Sequence, residues 1–354
     1  MQPFFRARKR QSNIVGDLHG ADIRTILICR PNHRLGNLLL LTPLVIELQR
    51  IFPQAEIDIV VAGCDGAELF QSFPGVARIY GLSRRMIRHP VATIRTALQI
   101  RRARYDLVID PCEASQSSRL LAAIAGAKYV IGSPRDPWST DPEEAAAMRR
   151  APRHMAQWSV YLVRRAVARH SLEPARPFPP LDIHLSGDER QIARRELDRL
   201  LETAGKPGVK TIVGVFADAT GAKCYGNDWW RRFISEVEVR HPDCAIVEIA
   251  PPDGRTRLSM DLPSFSSPSP RKVAALISNM TCFVSADCGV MHLASASGVP
   301  TIGLFSVTDA LKYAPYGRGS RALVTTGKSP EEIALLASEL LEKFRRHRSD
   351  EGRA

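Results

Sequence analysis

The chain has 354 residues, 44% of them hydrophobic and 24% charged, an ordinary balance for a globular protein with two domains. No apolar run approaches the roughly eighteen residues of a membrane span, and no apolar segment follows the basic N-terminus. We therefore expect neither a transmembrane helix nor a signal peptide, and we predict a cytoplasmic protein. The 7 cysteines form no C-x-x-C pair and mostly lie in apolar runs, which favours reduced core thiols over disulfides.

The net charge of +12 is concentrated in the first half of the chain. Residues 1–180 carry 26 Lys and Arg against 15 Asp and Glu, whereas residues 181–354 carry 23 against 22. A basic half indicates an anionic partner: nucleic acid, a phosphorylated glycolipid and a membrane surface all fit, and a merely solvated surface is the alternative. Aromatic residues make up only 6% and no nucleic-acid-binding module is recognisable, so we expect no nucleic-acid partner.

The first half begins with residues 1–22, for which we predict a mobile basic tail. After it, short apolar runs that alternate with longer helical stretches predict a doubly wound parallel sheet over residues 23–180, with a linker at the end. A helix is predicted over 38–52. Strands are predicted over 25–29, 56–62, 76–80, 105–110 and 129–132.

A cluster of prolines, Pro174, Pro177, Pro179 and Pro180, separates the two halves and is the best linker candidate, because such prolines favour extended chain. Beyond it, a second Rossmann-like domain is predicted over 181–328, followed by a C-terminal helix and tail over 329–354. The predicted strands are 211–216, 244–249, 281–284 and 301–305. The predicted helices are 191–203, 228–240, 270–279, 293–297 and 330–344.

Two loops of the second half predict a nucleotide site. Asp287 and His292 follow one predicted strand, and a Gly-containing loop with Lys223 follows another. Ligands bind at the carboxyl ends of parallel strands, where helix N-termini present bare N–H groups to anions. A lone Lys is more often merely exposed to solvent, but two such loops at one sheet edge favour phosphate binding.

Two other nucleotide-binding classes are disfavoured. The loop after the first predicted strand contains only Gly36, so a G-x-G-x-x-G fingerprint is missing, and the chain has no G-x-x-x-x-G-K-[ST] motif. The sequence therefore argues against hydride transfer and against P-loop phosphoryl transfer.

Several of these segments resemble a known family. Residues 285–316 contain Asp-Cys-Gly-Val-Met-His-Leu-Ala, Gly-Val-Pro-Thr and Leu-Phe-Ser-Val-Thr-Asp, and residues 35–44 contain Leu-Gly-Asn-Leu-Leu and Thr-Pro-Leu. They resemble the ADP-heptose:lipopolysaccharide heptosyltransferases (glycosyltransferase family 9) over about residues 24–345. The resemblance implies a GT-B fold, with two Rossmann-like parallel-sheet domains facing a central cleft. It also implies an inverting transfer without metal or cofactor, from ADP-heptose or another nucleoside-diphosphate sugar.

The resemblance also assigns donor-binding residues in the C-terminal domain. Lys223 matches the family's phosphate-contacting lysine, and Asp287 is expected to contact the sugar hydroxyls. His292 is expected near the diphosphate, and Cys288 stands where the family usually has Thr or Ser. The expected donor site comprises Thr220, Lys223, Asp287, Cys288, Gly289 and His292.

The first domain departs from the family at Asn37, where active members carry an Asp that takes the proton of the acceptor hydroxyl. An amide cannot accept that proton. Three alternatives stay open. Asp110 or Glu113 acts as the base, the proton is left to solvent or the leaving phosphate, or the protein binds without transferring.

The basic surplus of the first domain suits an anionic lipopolysaccharide core as the acceptor, since guanidinium groups pair bidentately with carboxylates and phosphates. Peripheral contact with the inner face of the inner membrane would follow. Ile94, Ala97 and Leu98 are expected to be buried on the other helix face. The expected acceptor-binding residues are Arg84, Arg85, Arg88, Arg95 and Arg102.

Overall fold

The computed structural model describes residues 18, 20–63, 65–83, 89–112, 115–132, 149–168, 176–258 and 260–351. The chain divides into two compact units, Met1–Pro179 and Pro180–Ala354. Each unit is built on one parallel sheet. In the described part of the chain, no helix has the length and apolar character needed to cross a membrane.

The first unit forms its sheet from short apolar segments whose side chains are mostly buried. The strands are β1 (Thr25–Cys29), β2 (Glu56–Ala62), β3 (Val76–Leu82), β4 (Leu107–Asp110) and β5 (Tyr129–Gly132). The helices are α1 (Leu35–Leu39), α2 (Thr42–Ile51), α3 (Asp65–Phe70), α4 (Pro90–Ala103), α5 (Gln116–Ala125) and α6 (Met155–Val167). The strand order is β3-β2-β1-β4-β5, so the loops that follow β1 and β4 emerge side by side at one sheet edge.

The predicted helix over 38–52 is wrong in one respect, because the structure has two helices, α1 and α2, in its place. Pro43 lies in the first turn of α2, where it has no N–H to donate and its ring would clash with the carbonyl of Leu39 in a continuous helix. The hydroxyl of Thr42 donates a 2.8 Å hydrogen bond to that carbonyl instead. The break therefore follows from the proline.

The second unit forms a six-stranded sheet. The strands are β6 (Thr211–Phe216), β7 (Cys244–Ile249), β8 (Ser264–Phe265), β9 (Cys282–Ala286), β10 (Thr301–Phe305) and β11 (Arg321–Val324). The helices are α7 (Gly187–Thr203), α8 (Asn227–Arg240), α9 (Pro270–Ile277), α10 (Gly289–Ala296), α11 (Ala310–Tyr313) and α12 (Pro330–Glu351). The strand order is β11-β10-β9-β6-β7-β8. Fully buried aromatic side chains, among them Trp230, Phe233, Phe283 and Phe305, fill the core around this sheet.

Helix α7 begins at Gly187, four residues before the predicted start, because Ser186 and Glu189 form a capping box. The Ser186 hydroxyl accepts from the Glu189 N–H at 3.1 Å, and Glu189 Oε2 accepts from the Ser186 N–H at 2.8 Å. The guanidinium of Arg271, at the start of α9, donates to both carboxylate oxygens of Glu189 at 2.7 Å. This pairing holds α7 to α9, and it lowers the pKa of Glu189 to about 2.

Candidate functional site

The adjacent strands β6, β9 and β10 bring three polar side chains together at the carboxyl edge of the second sheet. The Nζ of Lys223, in the loop after β6, lies 2.6 Å from Oδ2 of Asp287, which follows β9. The hydroxyl of Thr308, after β10, donates a short hydrogen bond to the same oxygen. The Asp287 side chain is only 6% exposed and that of Lys223 is 30% exposed, so the lysine is the more accessible of the two. We call these three residues the Lys223 cluster.

Helix α10 starts directly behind this cluster. It begins at Gly289, four residues earlier than predicted, so Gly289 and His292 both lie within the helix. His292 is buried, and Gly289 is half-buried at the helix start. The first backbone N–H groups of a helix have no partner inside it and carry the positive end of the helix dipole. The helix start therefore offers N–H donors beside the Lys223 cluster.

Two further predicted donor residues, Cys288 and Thr220, differ in their surroundings. The Sγ of Cys288 lies 3.3 Å from the Ser285 hydroxyl, and burial raises the pKa of the Cys288 thiol. A protonated thiol is a weaker hydrogen-bond donor than the hydroxyl of Thr or Ser. Thr220 is exposed and lies just before the single turn Gly221–Lys223.

An aromatic side chain lies next to the cluster. The Tyr225 hydroxyl is 2.8 Å from Oγ1 of Thr325, and its ring centroid is 4.4 Å from that of Trp229. Burial raises the pKa of Tyr225, and the negative charge of Asp287 raises it further. Tyr225 is thus a neutral, held side chain at the margin of the site.

Glu248 is the main feature that sequence reasoning missed. It lies near the end of β7, next to β6, and its side chain is almost completely buried. One carboxylate oxygen accepts from the backbone N–H groups of Arg257 (2.8 Å) and Leu258 (3.2 Å). Among the described residues the other oxygen has no hydrogen-bond partner. A carboxylate inside the apolar run Cys-Ala-Ile-Val-Glu-Ile was the available signal, because buried acids are rare unless they are paired.

In the first unit, Asn37 follows β1, and Asp110 is the last residue of the adjacent strand β4. Asn37 lies in α1, half-buried. Asp110 ends β4 and is buried, and its Oδ1 accepts from the Ser118 hydroxyl at 2.5 Å and from the Cys112 N–H at 3.1 Å. Burial raises the pKa of Asp110. Glu113 lies outside the described residues.

The predicted acceptor arginines lie only partly within the described chain. Arg95 and Arg102 are exposed on α4, whereas Arg84, Arg85 and Arg88 lie outside the described residues. The expectation that Ile94 and Leu98 are buried is wrong, since they are 58% and 49% exposed. At about 100° per residue they fall on the same face as Arg95 and Arg102. Ile100, on the opposite side, is the buried residue of α4.

In the described part of the chain, one group of possible metal ligands was found, comprising His241, Asp243 and Cys244. It lies at the start of β7, whereas the Lys223 cluster lies at the carboxyl ends of the neighbouring strands. The Arg345 guanidinium pairs with Asp243 at 2.5 Å, which places a positive charge where an ion would need negative ligands. A metal-independent reaction stays a prediction.

Comparison with known proteins decides the family. Residues 93–334 match the model of Glycosyltransferase family 9 (heptosyltransferase). The chain belongs to glycosyltransferase family 9. It is 26% identical over 301 residues to lipopolysaccharide heptosyltransferase 1 of Pseudomonas aeruginosa, which covers 80% of this chain and 79% of that protein.

Solved structures similar to this family 9 chain show its fold. The glycosyl transferase family 9 protein of Veillonella parvula matches with a TM-score of 0.71 at 15% identity, over 93% of this chain and 99% of that one. E. coli heptosyltransferase WaaC, solved with ADP, matches with a TM-score of 0.62 at 19% identity, over 91% and 100%. The predicted GT-B fold of two Rossmann-like parallel-sheet domains is confirmed, and the protein is a glycosyltransferase.

Proposed function

We propose that this glycosyltransferase moves a sugar, with heptose the first candidate, from a nucleoside diphosphate to an anionic lipopolysaccharide core. The observation that carries the proposal is the Lys223 cluster beside the start of α10. A phosphate bound there would meet one ammonium group and several backbone N–H donors. WaaC of E. coli, a structural relative, was solved with ADP, so an adenine nucleotide is the first donor to test.

Each part of a nucleotide sugar has a matching partner at this edge. The diphosphate would take Lys223 and the N–H groups of α10. The free oxygen of the Glu248 carboxylate would accept from a ribose hydroxyl, as acidic residues after the neighbouring strand do in Rossmann-like sites. Asp287 would accept from the sugar hydroxyls.

The bond between the sugar and the diphosphate breaks with negative charge developing on the departing phosphate. The Lys223 ammonium and N–H groups at the start of α10 lie at the same sheet edge, and we propose that they would stabilise that charge. They supply positive charge of the kind that a metal ion would otherwise supply. We therefore propose a metal-independent reaction that needs no cofactor, and inversion at the sugar follows from the family resemblance.

Asp110 is the proposed base. It is the last residue of β4, the strand next to β1, and Asn37 follows β1. Burial raises the pKa of Asp110 towards the range of a base that acts near neutral pH. The Asn37 amide is left with the role of orienting the acceptor hydroxyl.

The acceptor would be held by the first unit. Helix α4 exposes Val91, Ile94 and Leu98 on the face that also carries Arg95 and Arg102. A helix face that combines exposed apolar and cationic side chains is suited to an anionic lipid surface. We propose that this face, the α4 face hereafter, approaches a membrane in which the glycolipid acceptor is anchored.

The test is a donor screen with truncated lipopolysaccharide, analysed by mass, for the wild type, Asp110→Asn and Asn37→Asp. Asparagine at position 110 can still accept from Ser118 and Cys112, so this variant should fold, as thermal melting would show. We expect Asp110→Asn to lower transfer about 100-fold or more, as loss of a general base does. Asn37→Asp should change it less than tenfold. Large activation by Asn37→Asp with no effect of Asp110→Asn would refute the assignment of the base, and no product from any donor would refute the transferase proposal.

A further inference from the structure

A second concave site lies at the opposite edge of the second sheet from the Lys223 cluster. Its lining includes Thr281, Pro300 and Arg321, which stand at the amino ends of β9, β10 and β11. The cavity has a volume of about 700 Å³. This lies within the range of small-molecule sites in proteins. We call it the basic cavity.

The charged side chains that line the basic cavity are all cationic. Four cationic side chains line it, and no Asp or Glu occurs among its described lining residues. Arg190, Arg318 and Arg321 take part in none of the ion pairs found within the described residues. Cations close together repel one another, and an anion in their midst removes that repulsion. The four cations are Arg190, Arg318, Arg321 and Lys343.

The backbone positions one of these cations at some conformational cost. Gly317, Arg318 and Gly319 have φ of 108°, 38° and 75°, so Arg318 is a non-glycine residue in the left-handed region. Its side chain lies along Gly298, where an added Cβ would be 3.6 Å from the Arg318 guanidinium carbon. The Arg318 side chain therefore packs at ordinary van der Waals distance from position 298.

The other arginines are held by backbone carbonyls and keep donors to spare. Nη1 of Arg190 donates to the Ser297 carbonyl at 3.3 Å, and Nη1 of Arg321 donates to that of Ser320 at 2.9 Å. Each guanidinium has five N–H donors. Oriented forks of this kind suit phosphate, which accepts two parallel hydrogen bonds.

Part of the remaining wall is apolar, with Met280, Val299, Leu340 and Phe344, and Ser278, Thr281 and Ser297 also line the cavity. We propose that the basic cavity binds a phosphorylated ligand whose phosphate lies among the arginines and whose attached apolar or ring portion packs on this wall. Soluble phosphorylated metabolites and the headgroup region of an anionic phospholipid both belong to this class of ligand. The site is separate from the proposed donor site.

The first experiment is calorimetric titration with inorganic pyrophosphate. Wild type is compared with Arg318→Gln/Arg321→Gln, and with Arg195→Gln/Arg199→Gln, which removes the same charge from exposed positions of α7. Repeating each titration with Lys223→Met separates binding at the donor site. We expect pyrophosphate to bind at least tenfold more weakly to the cavity variant, Arg318→Gln/Arg321→Gln, and its affinity to change less than twofold for the control, Arg195→Gln/Arg199→Gln. If the cavity variant does not fold, Lys343→Gln removes a single charge from the same cavity.

The second experiment is co-sedimentation with phosphatidylcholine vesicles, with or without phosphatidylglycerol, for the same variants. Cavity-dependent pyrophosphate binding assigns a soluble ligand, and cavity-dependent binding to the anionic vesicles alone assigns a lipid headgroup. The proposal is overturned when the cavity and control variants behave alike in both experiments, or when wild type binds neither probe.

Discussion

Replacing Lys223 and replacing Asp287 should lower the stability of the second unit by different amounts. Lys223→Met leaves the Asp287 carboxylate, only 6% exposed, without its cationic partner, while the Thr308 hydroxyl still donates a hydrogen bond to it. Leaving a buried charge unpaired in this way costs about 2–3 kcal/mol. Asp287→Asn is milder, about 1 kcal/mol, because the Lys223 side chain is 30% exposed and its ammonium can be hydrated.

The double variant Lys223→Met/Asp287→Asn removes both charges and should be more stable than Lys223→Met alone. The resulting coupling free energy is expected to be about 1–2 kcal/mol. Chemical unfolding, followed by tryptophan fluorescence to which Trp229 and Trp230 of the same unit contribute, measures all four proteins. The pair Glu236 and Arg240, whose side chains are 27% and 39% exposed, provides a less buried control, with a coupling of about 0.5 kcal/mol or less. A Lys223→Met variant as stable as Asp287→Asn, or a cycle with no coupling, would refute this account of the cluster.

Three further predictions concern pH and the membrane. Because a base acts deprotonated and burial raises the pKa of Asp110 from 3.8, kcat/KM should fall on acidification with a midpoint above pH 3.8, and this limb should vanish in Asp110→Asn. Pairing with Arg271 lowers the pKa of Glu189 from 4.5 to about 2. The contribution of Glu189 to the free energy of unfolding is therefore present above pH 4.5 and is lost as the pH falls towards 2. Unfolding measured at a series of pH values should show Glu189→Gln less stable than wild type by about 2 kcal/mol at pH 7, after allowance for solvent screening. This difference in stability should disappear in acid, and a difference that does not change with pH would contradict the pairing. Ile94→Asp/Leu98→Asp should lower co-sedimentation with anionic vesicles at least fivefold without changing the melting temperature, and unchanged sedimentation would rule out the α4 face.

The sequence predicted most of the second unit because its strands are apolar runs with clear ends. The bounds of β6, β7 and β10 agree with the predicted ones. The start of α7 was missed although the capping signal, Ser186 followed by Glu189, was present in the sequence. Helix α10 was predicted too late because Gly289 and the residues before it are typical of a turn.

The remaining errors have a common physical cause, because they depend on contacts between distant segments. Helical periodicity showed that Arg95 and Arg102 share a face, but it could not show whether Ile94 and Leu98 would find a partner to cover them. The pairing of Glu248 with the N–H groups of Arg257 and Leu258 depends on a loop whose path no local pattern specifies. Similarly, the basic cavity joins residues from α7, α12 and the loop before β11.

The central claim is that the Lys223 cluster holds the diphosphate of the donor, and calorimetric titration of ADP tests it most directly. Wild type should bind ADP, and Lys223→Met should bind it about 10- to 100-fold more weakly, since a charge-assisted hydrogen bond contributes about 1.5–3 kcal/mol. Lys210→Met, which removes an exposed lysine of the same unit, should bind like wild type. Equal affinity of Lys223→Met and Lys210→Met, or no binding of ADP by wild type, would contradict the account.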